Sequence, residues 1–269
     1  MLLSVIIPAY ERLEEVMLCL TSLQAFASRQ VQIEFIVSDD ASSNVYLPGC
    51  IPPCSAATVR TPENLGFAGN INFAAQFAHG DILFMVNQDI FAAGEGALHE
   101  PLSQNWDIAL MQAFDNPEVG IVGARLLFPP NEHGDICIQS VGGSYDGHCQ
   151  PFHRFIGYSK YWLEEYSTPE PVSWVTGAAL AMRRELFEQV GGMDTSYVKG
   201  YAEDVELCCR VTELGKKVWY EPRVTLIHKV GTTGGNPYFM QNMLLWKSRW
   251  VDTRKVKADT SMVQPFGWW

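Results

Sequence analysis

What this 269-residue chain lacks narrows it first. No apolar run approaches the roughly 18 residues a helix needs to cross a bilayer. The opening Met1-Leu2-Leu3-Ser4-Val5-Ile6-Ile7-Pro8 has no basic segment and no cleavage site, so it reads as a strand, and a soluble cytoplasmic protein is expected. Positive charge is scarce: 19 Lys and Arg face 30 Asp and Glu, a net charge of −11. A broad grip on nucleic acid or anionic lipid needs clustered cations, so this balance disfavours both as partners. One local exception keeps nucleic acid open. Lys247, Arg249, Arg254, Lys255 and Lys257 gather near the C-terminus, either as a solvated helix face or as an acceptor or membrane contact.

A disulfide framework is also missing. The seven cysteines are odd in number in a long chain, unlike a stapled secreted domain. Cys50 and Cys54 lack a second Cys/His pair to complete a zinc site, and Cys208-Cys209 falls inside a helical pattern as core packing. There is no Ser/Gly linker and no repeat. With 47% hydrophobic and 18% charged residues, the chain can fill one shared core.

What is present is an alternation of strand and helix. Leu2 to Ile7 is a strand apolar on both faces, and Leu13, Val16, Leu20 and Leu23 mark a helix. Val31 to Val37 alternates as a second strand and ends at Ser38-Asp39-Asp40. A Pro/Cys-rich loop covers about Asn44 to Pro53. A short strand at Thr58-Val59-Arg60 leads into Asn64-Leu65-Gly66-Phe67-Ala68-Gly69-Asn70 and a helix ending near His79. Ile82 to Val86 is the next strand, closed by Asn87-Gln88-Asp89. This pattern predicts a parallel, doubly wound α/β sheet, in which ligands bind beyond the carboxyl ends of the strands. Pro8-Ala9-Tyr10-Glu11, Asp39-Asp40 and Asn87-Gln88-Asp89 occupy those ends and should converge on one rim.

The second half is less regular. A helix is expected around Trp106 to Phe114, then a strand at Val119 to Gly123 and a Gly-rich stretch to about Gly157. Pro171 to Met182 reads as one strand broken at Thr176-Gly177. A helix at Arg183 to Val190 stops at Gly191-Gly192, and Val218 to Tyr220 and Val224 to His228 read as two short strands. Between them, Lys199-Gly200-Tyr201-Ala202 runs into Glu203-Asp204 on the first turn of a helix whose Leu207, Val211 and Leu214 share a core face. Carboxylates suit any helix start through the macrodipole. Behind a glycine loop they also suit a general base.

In this order the pieces resemble the family 2 inverting glycosyltransferases of the GT-A fold, in particular the bacterial rhamnosyltransferase-like branch. The resemblance covers about Leu3 to Trp246. It rests on Val5-Ile6-Ile7-Pro8-Ala9-Tyr10, Val37-Ser38-Asp39-Asp40-Ala41-Ser42, Asn64 to Gly69 with Asn72, and Asn87-Gln88-Asp89. It continues through Val175-Thr176-Gly177-Ala178-Ala179, Gly191-Gly192-Met193-Asp194, Glu203 to Arg210, and Ile227-His228. It implies a Rossmann-like, mostly parallel central sheet flanked by helices, with a smaller acceptor-side subregion, in a single domain over 1–269. About 1–125 would be the nucleotide-sugar half, about 126–240 the acceptor and catalytic half, and about 241–269 a helical tail.

The resemblance also implies site residues. Pro8, Tyr10, Glu11, Asp39, Asn64, Gly66, Asn87, Gln88 and Asp89 would bind the donor. Asp39 would accept a hydrogen bond from a uracil or thymine imino N–H, which favours a UDP- or dTDP-sugar; its plain alternative is an Asx turn. Asn64 and Gly66 either admit a phosphate closely or cap the helix. Asn87-Gln88-Asp89 stands where the family has an Asp-x-Asp metal motif, so Asn87 replaces one acid. Asp89 and His228 would hold Mn²⁺ or Mg²⁺, although a histidine on an apolar strand is also an ordinary core residue. Asp204 would be the general base, with Glu203 the second candidate. Gly177, Ala178 and Trp174 would line the acceptor side, where Thr176-Gly177 is alternatively a strand bulge. Trp162, Trp219, Trp246 and Trp250 are further candidates for sugar stacking or core, and Lys199-Gly200-Tyr201 could close over the donor.

The expected function is metal-assisted, inverting sugar transfer to a hydroxyl acceptor, a carbohydrate or another, in polysaccharide biosynthesis. The alternatives are a non-catalytic nucleotide-sugar or carbohydrate-binding module on the same fold, and a glycosyltransferase acting on a hydroxylated DNA base. A nucleotidyltransferase would want a Gly/Lys-rich phosphate loop where this chain has Pro8-Ala9-Tyr10-Glu11-Arg12.

Overall fold

The computed structural model describes residues 1–43, 50–52, 55–93, 102–159, 165–231 and 236–259. Cys54, Trp162 and most of the Pro/Cys-rich loop lie outside the described residues. The strands are β1 (Leu2–Ala9), β2 (Gln32–Asp39), β3 (Ala57–Arg60), β4 (Ile82–Val86), β5 (Ile90–Phe91), β6 (Val119–Leu127), β7 (Ile138–Ser140), β8 (Gly143–Tyr145), β9 (Pro151–His153), β10 (Glu170–Val172), β11 (Ala179–Arg183) and β12 (Lys217–His228). The helices are α1 (Leu13–Phe26), α2 (Gly66–Ala75), α3 (Trp106–Ala113), α4 (Arg184–Gln189), α5 (Glu203–Glu213) and α6 (Phe239–Trp246).

The apolar runs form the middle of one ten-stranded sheet, ordered β10-β12-β6-β11-β4-β1-β2-β3, with β5 on β12 and β7 on β6. β1 pairs in parallel with β2 on one side and with β4 on the other. The chain steps outward from β1 to β3, then returns to β4, so β1 and β4 flank a topological switch point where a crevice opens. Alternation along the strands divides the core. Leu3, Val5 and Ile7 of β1 pack with Val16, Leu20, Trp106 and Leu110 on the α1/α3 side. Ile6, with Leu83 and Met85 of β4, packs with Ile71, Leu207 and Cys208 on the α2/α5 side. Each such fully buried side chain contributes about 1.5–3 kcal/mol.

Three expectations differ from the structure. The run from Pro171 to Met182 is two strands: β10 pairs with β12 at the edge, while β11 lies antiparallel between β4 and β6. The crossing between them carries Trp174 to Ala178 over the crevice. Conversely, the two short strands ending at His228 are one strand, β12, with a register shift between Glu221 and Thr225. Pro222 has no N–H to give the ladder, and the excess residues bulge out, held by a 2.7 Å bond from Thr225 Oγ1 to the Pro222 carbonyl. In α5, Leu207 and Val211 are fully buried, but Leu214 stands at the C-cap and is 47% exposed.

Among the described residues no helix is long and apolar enough to cross a membrane. The C-terminal cations are largely paired: Lys247 with Asp252, Arg249 with Asp194 and Lys255 with Glu213.

Candidate active site

The strand ends at the switch point open into a cleft of about 610 Å³. Pro8, Tyr10, Asn64, Gly66, Asn87, Gln88, Asp89, Trp174, Gly177, Ala178, Glu203, Asp204 and His228 all line it. Two residues expected there do not. Asp39 is fully buried behind the rim; its carboxylate accepts from Ser42 N–H at 3.0 Å and pairs with Arg60, its β3 neighbour in the parallel register. That is the Asx-turn alternative. Glu11 turns outward and accepts from Ser43 N and Oγ at 2.6 and 2.7 Å. The neighbouring Asp40 faces the cleft instead. It accepts the N–H groups of Leu65 and Gly66 at 2.8 and 2.9 Å, so it caps α2 from another strand, and burial raises its carboxyl above the usual range.

Tyr10 is 44% exposed at the rim. Its backbone is held by Gln88, which accepts from Tyr10 N–H at 2.8 Å and donates Nε2 to the Tyr10 carbonyl at 3.1 Å. Gln88 therefore positions Tyr10, both ends of its amide being in use.

Opposite stands the pair made by β12 and the turn after β4. His228 Nδ1 lies 3.0 Å from Gln139 Oε1, and Nε2 lies 3.1 Å from Asp89 Oδ1. His228 Nε2 and Asp89 Oδ1 thus stand side by side as a nitrogen and an oxygen that one cation could share, with Gln139 orienting the ring from its other nitrogen. Asn87 Oδ1, two residues from Asp89, is a buried acceptor without a hydrogen-bond partner, another group in want of a donor or an ion. Among the described residues no cluster of three or more His, Cys, Asp or Glu is arranged for a metal ion. The oxygen and nitrogen donors present fit Mn²⁺ or Mg²⁺ if the remaining positions come from a ligand.

Glu203 and Asp204 begin α5 behind four consecutive residues of positive φ, Lys199, Gly200, Tyr201 and Ala202. Asp204 Oδ2 accepts from Gly177 N–H at 2.8 Å, and Oδ1 from Val205 N–H at 2.8 Å. A Cβ on Gly177 would stand 3.3 Å from Asp204 Cβ and 3.1 Å from the Phe67 ring. The room that this glycine provides is filled by the acid and the Phe67 ring together. Burial raises the Asp204 carboxyl despite these bonds, and burial together with the charge of Asp204 raises Glu203 well above its ordinary range. Glu203 Oε2 has no partner.

His153 falls in the Gly-rich stretch and belongs to none of the sequence motifs above. The β8–β9 hairpin brings it to the cleft, where it packs on Trp174 with ring centroids 4.8 Å apart. Burial, and after it the nearby His228, push the imidazole down to about 4. Neither three-residue strand carries a periodicity strong enough to reveal it. Trp246 and Trp250 are core residues and lie away from the wall of the cleft.

Fold and cleft together define a GT-A domain. The chain belongs to glycosyl transferase family 2, whose profile matches residues 4–191; a family 21 profile matches residues 170–266. It is 30% identical over 167 residues to the O-antigen biosynthesis protein RfbC of Myxococcus xanthus, covering 58% of this chain and 12% of that protein. It is 41% identical over 68 residues to an N-acetylglucosaminyl-diphospho-decaprenol L-rhamnosyltransferase of Mycobacterium tuberculosis, covering 25% and 22%. The chain thus spans 12% and 22% of the length of these two curated relatives. Its structure superposes on GalNAc-T7 with UDP, GalNAc and Mn²⁺ at a TM-score of 0.72 and 17% identity, covering 94% of this chain and 48% of that one. The mannosyltransferase PcManGT from Pyrobaculum calidifontis, in complex with GDP-Man and Mn²⁺, gives 0.61 and 18%, covering 96% and 65%.

Proposed function

We propose that the chain transfers a hexose from a nucleoside-diphosphate sugar to a hydroxyl acceptor with inversion, Asp204 acting as the general base. The observation that carries this reading is that an oriented carboxylate shares one cleft with the Asp89–His228 pair. Residues 1–125 would contribute the donor half and 126–240 the acceptor half. The rhamnosyltransferase and O-antigen relatives support a glycan product, and the Mn²⁺-bearing structural neighbours support a divalent ion.

Two acids side by side in a buried site do not ionise independently. Asp204 has two backbone N–H donors to stabilise its charge, whereas Glu203 has an oxygen with no partner. Asp204 is therefore the anion of the pair and Glu203 the proton holder. A carboxylate raised above its ordinary range is a better base at neutral pH. It takes the acceptor proton as the hydroxyl attacks the anomeric carbon and becomes acidic. A single displacement of this kind inverts the centre. The exposed Tyr10 ring offers the nucleotide a flat surface. Asp89 and His228 would hold Mn²⁺ or Mg²⁺, which when bound offsets the charge growing on the departing diphosphate.

A binding module without catalysis is the second reading, because Asn87 stands where the metal motif has an acid. One experiment separates them. UDP-, dTDP- and GDP-sugars are screened by thermal shift with and without Mn²⁺, and turnover of the stabilising donor is compared for wild type and Asp204→Asn. The variant should bind the nucleotide normally and turn over at least about 1000-fold more slowly, in line with loss of a positioned base. Most of the turnover surviving in Asp204→Asn sinks the mechanism, and a flat response to every nucleotide sinks the donor site.

A further inference from the structure

We propose that Asn236 and Asn242 are positioning residues for the acidic pair, so that the C-terminal segment helps to set where Asp204 stands. This rests on Asp204 being the base. The starting point is the backbone before α5. Lys199, Gly200, Tyr201 and Ala202 have φ of 58, 105, 73 and 74°. L-residues avoid that region, and a run of four has no local preference behind it. Something outside the run must hold it.

What holds it is a double amide clamp. Asn242 Nδ2 donates to the carbonyls of Val198 and Gly200 at 3.0 and 2.6 Å, and its Oδ1 accepts from Val198 N–H at 3.1 Å. Asn236 Nδ2 donates to the same two carbonyls at 2.9 and 2.7 Å. Each carbonyl thus receives two donors, which fills both lone pairs. Asn242 is fully buried. Asn236 is anchored in turn, since its Oδ1 accepts from Tyr238 N–H at 2.8 Å just before α6.

On its other side the loop rests on α2. A Cβ on Gly66 would meet Lys199 Cα at 3.1 Å. The Tyr201 ring meets the α6 residue Phe239 edge-on at 5.2 Å. The loop is therefore wedged between the donor-side helix α2 and the C-terminal helix α6, and it delivers the chain directly into Glu203-Asp204. Without the clamp, the left-handed run relaxes, the first turn of α5 loosens, and Asp204 loses its fixed place on Gly177 N–H. Asn242 is fully buried and off the cleft wall, so it acts only through the loop and the pair, whereas Asn236 also lines the cleft and its variant is judged by exchange and by turnover at saturating donor.

The test uses the full chain with Asn242→Ala and, because a buried substitution can prevent folding, Asn236→Ala on the half-buried partner. Amide hydrogen exchange is read at Gly177 and Val205, and turnover is read with the stabilising nucleotide-sugar and Mn²⁺. The expected result is exchange at least about tenfold faster at both amides in a cooperatively melting protein. Turnover at saturating donor should fall by about 10–100-fold in both, with donor KM within about twofold for Asn242→Ala, the signature of a misplaced base rather than a lost contact. Unchanged exchange, or unchanged turnover with faster exchange, overturns the proposal. Asp204→Asn is assayed beside them. If it stays active, the base assignment fails while the exchange result still judges the clamp; if it is inactive and both asparagine variants turn over normally, the clamp alone fails.

Discussion

Replacing Gly177 with alanine tests whether the site depends on the close approach of Asp204 to the backbone. Gly177 does not have a positive φ, so alanine is not barred by the backbone. The obstacle is space. The new Cβ would lie 3.1 and 3.3 Å from two atoms of the Phe67 ring and 3.3 Å from Asp204 Cβ, against about 3.5–4.0 Å for carbon atoms at rest. Overpacking of this kind costs about 1–3 kcal/mol, or some 2–4 °C in Tm per kcal/mol for a domain of this size. Phe67 is half-buried and can give on its open side. Asp204 cannot move without stretching the 2.8 Å bond to the N–H of the substituted residue itself. If a 1 Å misplacement costs about 100-fold in rate, a shift of a few tenths costs about 3–10-fold, or about 0.7–1.4 kcal/mol in the barrier. Melting temperature and turnover at saturating donor are measured for Gly177→Ala and for the double variant with Phe67→Leu. The second change should restore stability while leaving the rate low. A Gly177→Ala protein with wild-type melting and turnover would refute the reasoning.

Three further outcomes follow from the same geometry. Burial raises the Glu203 carboxyl well above its ordinary 4.5, so its protonated form stabilises the fold, and that contribution is lost as pH rises through the folded value. Glu203→Gln should therefore gain about 1–3 kcal/mol at pH 8 and little at pH 4; equal melting shifts at both pH values contradict this. His228→Ala should abolish the extra stabilisation that Mn²⁺ gives in the presence of UDP, measured against the variant's own melting without metal; a persisting metal-dependent shift removes His228 from the site. Asp40→Ala removes the acceptor for Leu65 and Gly66 and should cost about 1–2 kcal/mol, as loss of a helix cap does, whereas a denaturant midpoint equal to wild type denies that role.

The convergence of the strand ends was legible because β1 and β4 are buried along nearly their whole length, and continuous apolar runs advertise central strands. Asp39 and Asp40 were harder to tell apart. Successive residues at a strand end point to opposite sides, and only the register with Arg60 decides which one turns inward. The join of two apparent strands into β12 was hidden by Pro222, which reads as a break although the bulge absorbs it. Gly177 was legible as an acceptor-side residue or a bulge, but not as the seat of Asp204, since that contact spans 27 residues. The left-handed run at Lys199 to Ala202 was invisible: only one of its four residues is the glycine that such a conformation favours.

The amide of Gln88 imitates one more peptide unit beside β1, offering a carbonyl to Tyr10 N–H and an N–H to its carbonyl. The tyrosine backbone is satisfied whichever ring it carries, because none of that pairing passes through the phenol. The cleft wall is thereby split into a fixed frame and an interchangeable facing. Aromatic exchanges at position 10 can retune the surface offered to the cleft without disturbing the strand end, while a change at position 88 disturbs the frame itself.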